Sequence, residues 1–196
     1  MKKLFTLCVM VLCITLVIAV IPTEAESEIY EDTVRLHILA NSDSKEDQNL
    51  KIALRDDILN EFSEQLSEYE SAEEAKENLN SLLPDIESYC KEKIKEYGYS
   101  YSVNVTLTEE WYETREYDNF SLPCGYYTSL RVIIGDGEGQ NWWCVMYPPL
   151  CLDIATENAP GDDGIKKYSD SQFKLISKNG FQAKFKILEL TSSIFS

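Results

Sequence analysis

The spacing of hydrophobic positions changes several times along the chain, and each change marks a predicted element. Residues 4–21 form a nearly continuous apolar run after Lys2 and Lys3, and small residues follow up to Ala25. A basic start, an apolar stretch and small residues are typical of a secretory signal, and the run is also long enough to span a bilayer. We therefore predict that residues 1–25 are a signal peptide or signal anchor, and that residues 26–196 form one exported domain.

The first half of that domain is predicted to contain one strand and two helices. After a short acidic linker at residues 26–31, apolar and polar positions alternate over residues 33–40, which indicates a strand. Apolar positions then recur every three or four residues after Ser44 and again after Ser71, which predicts two capped helices. Pro84 lies inside the second pattern and is expected to kink or split that helix.

The second half alternates with a period of two, which predicts four strands at residues 99–107, 111–117, 126–134 and 141–147. We expect the first two to be antiparallel neighbours, and the last two to be antiparallel neighbours across the glycine-rich loop at residues 135–139.

A mobile acidic loop near residues 153–164, a short helix at 170–178 and a C-terminal helix at 181–195 are predicted to follow. The expected fold is α+β: a mostly antiparallel sheet of about five strands packed by two N-terminal helices and a C-terminal helix.

Charge and composition exclude several classes of function. The chain has 34 acidic residues against 18 Lys and Arg, a formal net charge of −16, which argues against nucleic-acid binding and against adhesion to anionic lipid. The only histidine is His37, so metal sites that need two or three histidines cannot form within one chain. We predict neither a metal nor a cofactor.

Cysteine chemistry offers one enzymatic hypothesis. Cys144 could act as a nucleophile with His37 as its base, as in a cell-wall or peptide hydrolase. The alternative is that Cys144 is packed or disulfide-bonded and that His37 is structural. Four cysteines lie outside the signal, namely Cys90, Cys124, Cys144 and Cys151. They allow three complete pairings, and the lack of a C-x₂-C pair disfavours zinc.

The densest aromatic segment of the chain is residues 141–151. In a strand, Trp142 and Trp143 point to opposite faces, so that one can be buried while the other is either covered or exposed. Exposed Trp is enriched at protein-binding hot spots. The acidic residues at positions 43–47 are better explained as helix N-terminal caps than as catalytic carboxylates.

Three long motifs resemble the stage II sporulation protein R family. They are RLHILANSDSKEDQ at residues 35–48, LPCGYYTSLRVIIG at 122–135 and GQNWWCVMYPPLC at 139–151. Lys51, Arg55 and Asp56 continue the first motif. The similarity covers about residues 33–152 and the segment FKILEL at 185–190.

This resemblance implies a signalling protein without enzymatic activity. Members of the family are made in the forespore and exported into the space between forespore and mother cell. There they activate a membrane-bound aspartic protease of the mother cell, which processes the pro-sigma-E factor. The implied partner is that protease. No nucleic acid or small-molecule substrate is implied, and membrane contact would occur only through an uncleaved signal segment.

The resemblance also directs the choice of candidate residues. We predict a partner-binding surface formed by His37, Asn41, Asp43, Asp47, Gln48, Arg55, Asn141, Trp142, Trp143, Tyr147, Pro148 and Pro149. The family pattern has small residues where this chain has Cys90 and Cys124. We therefore predict two disulfides, Cys90–Cys124 and Cys144–Cys151.

Overall fold

The computed structural model describes residues 2–21, 23–117, 120–150 and 167–177. Its helices are α1 (Lys2–Val20), α2 (Glu24–Glu31), α3 (Lys45–Glu68), α4 (Ala72–Glu96) and α5 (Asp170–Ile176). Its strands are β1 (Val34–Leu39), β2 (Val103–Tyr112), β3 (Arg115–Glu116), β4 (Ser121–Leu122), β5 (Gly125–Ile134) and β6 (Asn141–Tyr147). Among these helices, none is both long and apolar enough to cross a membrane.

The main sheet has four strands in the order β2–β5–β1–β6, and β3 and β4 form a separate two-stranded ribbon. β1 is parallel to β5 and antiparallel to β6, whereas β2 is antiparallel to β5. The predicted α+β class is therefore confirmed, with a mixed sheet.

Two predicted strand pairings are wrong. β5 and β6 are not hydrogen-bonded neighbours, because β1 lies between them. Trp111 belongs to β2 itself, which runs without interruption to Tyr112 and pairs with β5. Spacing in the sequence shows that strands exist, but it does not show which distant strand inserts between two others.

Helices α3 and α4 pack on one face of the sheet and enclose the main core. β1 contributes Val34, Leu36 and Ile38 to this face, all fully buried. The helices contribute apolar residues spaced by three, four or seven positions, including Leu50, Leu54, Ile58, Leu79, Ile86 and Ile94. Each such side chain stabilises the fold by about 1.5–3 kcal/mol when it is fully buried.

The opposite face is covered at one end by α2 and α5. Tyr30 of α2 meets the ring of Tyr127 edge to face at 5.1 Å, and its hydroxyl donates to the carbonyl of Cys124. In front of α5, the hydroxyl of Tyr168 lies 2.8 Å from that of Thr33. The expected acidic linker at residues 26–31 is therefore wrong: these residues belong to α2, which packs through Ile29.

The predicted helix starts are confirmed. Ser44 accepts a hydrogen bond from the amide of Asp47, and Ser71 accepts one from the amide of Glu74. Pro84 does not split α4, which is one helix of 25 residues. The predicted loop at residues 153–164 and the predicted helix at 181–195 lie outside the described residues.

A close approach at Gly139 holds the loop between β5 and β6 against the start of α3. The amide of Gly139 donates to the carbonyl of Ala40 at 2.9 Å. A Cβ added at Gly139 would lie 2.3 Å from the carbonyl oxygen of Ser42. Any side chain at this position would force the two backbones apart.

We predict that Gly139→Ala lowers the free energy of unfolding by about 2–3 kcal/mol, because the new methyl group meets backbone that cannot rotate away. Gly98→Ala is the control. Gly98 has φ +86 and open space around it, so alanine there should cost only about 1–2 kcal/mol of left-handed backbone strain. Urea denaturation measures both variants, and equal losses would contradict the proposed contact.

Candidate functional site

Polar and aromatic side chains gather on the face of the sheet opposite α3 and α4. His37 of β1 pairs with Arg131 of β5 on one side and with Trp143 of β6 on the other. Because residues paired across neighbouring strands point to the same face, these three side chains share that face. Together with Glu110, Arg115 and Asn141 they form what we term the open-face cluster.

His37 is the centre of this cluster and is held on three sides. Its Nδ1 lies 3.0 Å from Oε2 of Glu110, and its Nε2 lies 3.1 Å from Oδ1 of Asn141. Its ring stacks on Trp143 with centroids 5.6 Å apart. The imidazole is therefore fixed in position and 8% exposed.

Glu110 is the acidic member of the cluster. Burial acts to raise the pKa of its carboxyl group, but hydrogen bonding to His37 and the charge of Arg131 outweigh that effect and hold the pKa below its ordinary value. Nε of Arg131 lies 3.4 Å from Oε1 of Glu110. This carboxylate is consequently ionised and links β2 to β5 through Arg131 and to β1 through His37.

An aromatic cavity adjoins the cluster. It has a volume of about 270 Å³ and is lined by Trp111, Tyr112, Glu113, Arg115 and Trp143. The guanidinium of Arg115 lies over the ring of Trp143, 4.0 Å from its centroid. A half-buried indole beside a cation and a carboxylate is suited to holding an apolar or planar side chain of another molecule.

Arg35 lies deeper on the same face and was not among the predicted site residues. It is fully buried, and its guanidinium sits 3.9 Å from the ring centroid of Tyr112 and 5.1 Å from that of Tyr127. Its Nη2 donates to the hydroxyl of Tyr117 at 2.9 Å. Alternation in β1 places Arg35 on the same face as His37, but only the fold shows that tyrosines from β2 and β5 enclose it.

Four predicted contact residues instead hold the turn between β1 and α3. The buried carboxylate of Asp47 accepts hydrogen bonds from Asn41 at 2.9 Å and from Ser42 at 2.6 Å. These bonds hold the pKa of Asp47 below its ordinary value. Gln48 donates to the carbonyl of Ser42 at 2.9 Å.

The same turn is bound to the loop at residues 135–140. Asn41 accepts from the amide of Asp136 at 3.1 Å, and Asp43 accepts from the amide of Gln140 at 2.8 Å. Lys51 donates to the carbonyl of Gln140 at 2.7 Å. Asn41, Asp43 and Asp47 thus join two distant segments of the chain, which accounts for their position in a long motif.

The two tryptophans lie on opposite faces, as predicted, and both are half-buried. Trp143 belongs to the open-face cluster, whereas Trp142 faces α3 with Arg55 4.9 Å from its ring centroid. Tyr147 and Pro148 are buried and Pro149 is half-buried. Of the predicted surface residues, His37, Asn141 and Trp143 belong to the open-face cluster.

The predicted Cys144–His37 pair is not formed. Cys144 is opposite Leu36 in the register and shares its face, whereas His37 points to the other face. Cys144 is disulfide-bonded, and Cys151, its predicted partner, lies outside the described residues. A hydrolase that uses these two residues has no geometric support.

The predicted Cys90–Cys124 disulfide is wrong, because Cys90 is a free thiol on the buried side of α4. Burial raises the pKa of this thiol to about 12, so it stays protonated and unreactive. Within the described ranges, no group of three or more His, Cys, Asp or Glu residues is arranged to hold a metal ion.

Comparison with known proteins identifies the class to which the chain belongs. The family model of stage II sporulation protein R matches residues 30–157. Stage II sporulation protein R of Bacillus subtilis (strain 168) is 32% identical over 185 residues, which cover 85% of this chain and 83% of that relative. No solved structure matches. The chain is thus a sporulation protein. It belongs to the stage II sporulation protein R family, as its motifs suggest.

We predict that Asp47→Asn lowers the free energy of unfolding by about 2 kcal/mol at neutral pH, since the hydrogen bonds from Asn41 and Ser42 lose their charged acceptor. Folding lowers the pKa of the Asp47 carboxyl below its ordinary value of 3.8. The stability that the ionised carboxylate contributes is therefore fully present above pH 3.8 and is lost as the pH falls through the lower pKa of the folded protein. The difference between wild type and variant should therefore shrink below pH 3.8.

Urea denaturation over a pH series measures this difference. The control is Glu46→Gln, which changes an exposed acid in the same helical turn and should leave stability nearly unchanged. A difference for Asp47→Asn that stays constant down to the lowest pH would show that its carboxylate does not hold the turn.

Proposed function

We propose that this protein is an exported sporulation signal that activates a membrane-bound aspartic protease of the mother cell, which then processes the pro-sigma-E factor. Its family membership supports the sporulation role. The basic and apolar N-terminal segment supports export from the forespore into the space between the two cells. The net charge of −16 favours a body that stays off anionic lipid and remains free to meet a receptor.

The observation that carries this proposal is the open-face cluster. Trp143 is only half-buried although it lies among charged groups and next to a cavity of about 270 Å³. Aromatic residues and arginines in such settings are the residue types that dominate protein-binding energy. The cluster has the composition of a recognition surface.

Activation requires that the signal bind the active state of the protease more tightly than the inactive state, because only differential affinity shifts an equilibrium. A hundredfold shift needs about 2.7 kcal/mol of differential binding. One well-buried aromatic hot spot can supply that amount. We propose that the ring of Trp143, which lies between His37 and Arg115, is this hot spot.

We predict that Trp143→Ala reduces processing of pro-sigma-E at least tenfold while the domain stays folded. The matched control is Trp142→Ala, which removes the same side chain from the opposite face and should leave processing within about twofold. Co-expression of the signal, the protease and pro-sigma-E in a non-sporulating host, followed by immunoblotting, measures the processed fraction. Circular dichroism establishes that each variant is folded.

Two results would contradict this proposal in different ways. Normal processing with a folded Trp143→Ala protein would show that the open-face cluster is not the contact surface. Absence of processing with the wild-type chain, when all three proteins are present, would refute the activating function itself.

A further inference from the structure

Among the described residues, no strand pairs with the outer edge of β2. β2 is the last strand of the sheet, and β5 pairs with it residue for residue on its other side. In an antiparallel strand, the amide and carbonyl of successive residues point alternately to the two sides. The carbonyl of Ser102 accepts from Gly135 at the end of β5, while the amide of Val105 points away from β5 toward Glu87.

This alternation assigns the outward backbone groups to five odd-numbered residues, which are Val103, Val105, Leu107, Glu109 and Trp111. Within the described part of the chain, the only hydrogen bond at this edge runs from the amide of Val105 to Oε2 of Glu87, at 3.4 Å. The other outward amides and carbonyls lack protein partners in that part of the chain.

A groove runs beside this edge. It has a volume of about 380 Å³ and lies between α4 and β2, lined by Leu83, Pro84, Glu87, Ser88, Lys91 and Val105. A strand added to β2 would place every second side chain over this groove, because side chains alternate between the two faces of a sheet. Main-chain hydrogen bonds between the added strand and β2 would supply the affinity, and the fit of its side chains in the groove would supply the selectivity for sequence.

β2 lacks several of the features that protect edge strands. Proteins block exposed edges with proline, charged side chains, bulges, very short strands or a covering helix. Of these, β2 carries the charged side chains of Glu109 and Glu110. β2 has ten residues, VNVTLTEEWY, and contains neither proline nor lysine. Its register with β5 runs without a shift from Val103 to Tyr112. Among the described residues, only the carboxylate of Glu87 is hydrogen-bonded to this edge.

The acidic side chains beside the edge favour one kind of binding segment over others. Glu109 and Glu113 are exposed, and among the described residues neither forms an ion pair, whereas Lys91 is paired with Glu87. A second copy of this chain would bring another charge of −16 to this edge, which disfavours self-pairing. A basic segment would be attracted.

We propose that the outer edge of β2 binds an extended segment of a partner protein in which small apolar residues alternate with Lys or Arg. The segment adds a strand to the sheet and displaces the carboxylate of Glu87 from the amide of Val105. This inference rests on the proposed function for the identity of the partner. Trp111 belongs both to the edge and to the cavity beside Trp143, so the bound segment leads directly to the open-face cluster.

The first test uses a capped peptide of alternating Lys and Val, about as long as β2, added to the full domain. Amide hydrogen exchange followed by NMR should show at least tenfold slower exchange at Val103, Leu107, Glu109 and Trp111. The even-numbered amides of β2, which face β5, should already exchange slowly without peptide. A peptide of alternating Glu and Val should give no protection.

The second test compares two variants at one position. Glu109→Pro removes an outward amide but leaves the hydrogen bonds to β5, and proline is tolerated at such edge positions. Glu109→Ala removes the same carboxylate and keeps the amide. The affinity for the Lys–Val peptide should be at least tenfold lower for Glu109→Pro than for Glu109→Ala. The exchange measurement needs no variant, so it stands even if Glu109→Pro does not fold.

Several outcomes would overturn the inference. The first is that the two folded variants bind the peptide with equal affinity. The second is that the peptide slows hydrogen exchange at amides other than the outward amides of β2. The third is that a higher protein concentration, without peptide, slows exchange at those amides, which would assign the edge to a second copy.

The processing assay separates this inference from the proposed function. If the wild-type chain triggers processing and a folded Glu109→Pro protein does so equally well, the edge is not used by the receptor, and the inference fails alone. If the peptide binds the edge but the wild-type chain triggers no processing, the proposed function fails and the edge site stands.

Discussion

The insertion of β1 between β5 and β6 is the constraint on which the rest of the structure depends. All six residues of β1 are buried, and each pairs with a strand on both sides. The loop at residues 135–140 must therefore pass over the end of β1 before β6 can begin. This crossing accounts for the close approach at Gly139 and for the hydrogen bonds that Asn41 and Asp43 make with the loop.

A central strand also gives the sheet two chemically different faces. Leu36 and Ile38 face the helices and form part of an apolar core, while Arg35 and His37 alternate with them on the other face. A fully buried guanidinium is costly, and Nε and Nη1 of Arg35 have no hydrogen-bond partner among the residues that the structure describes. The rings of Tyr112 and Tyr127 offset part of this cost through cation–π contacts. This face of the sheet is polar around His37 and is covered by tyrosine rings around Arg35.

The two surfaces for which we propose a recognition role meet at Trp111. The open-face cluster contains an indole between a cation and an imidazole. The edge of β2 has backbone groups that no described residue pairs, beside acidic side chains. Trp111 is 36% exposed and Tyr126, its cross-strand neighbour, is 63% exposed, so aromatic surface continues around that corner of the sheet. A protein with such a large negative charge can use this corner to select basic partners.

The sequence by itself determined the features that depend on neighbouring residues. Periodicity located the long helices and β1, β5 and β6, although it divided β2 at Trp111. Ser44 and Ser71 marked two helix starts, alternation placed Trp142 and Trp143 on opposite faces, and the long motifs indicated the family. Only the tertiary structure decided which strands pair, because pairing joins segments far apart in the chain. That pairing places Cys144 and His37 on opposite faces of the sheet. Among the described residues it also leaves the outer edge of β2 without a neighbouring strand. Packing of the turn after β1 makes Asp47 a buried hydrogen-bond acceptor. Local patterns carry no information on such contacts, since each depends on where a distant segment packs.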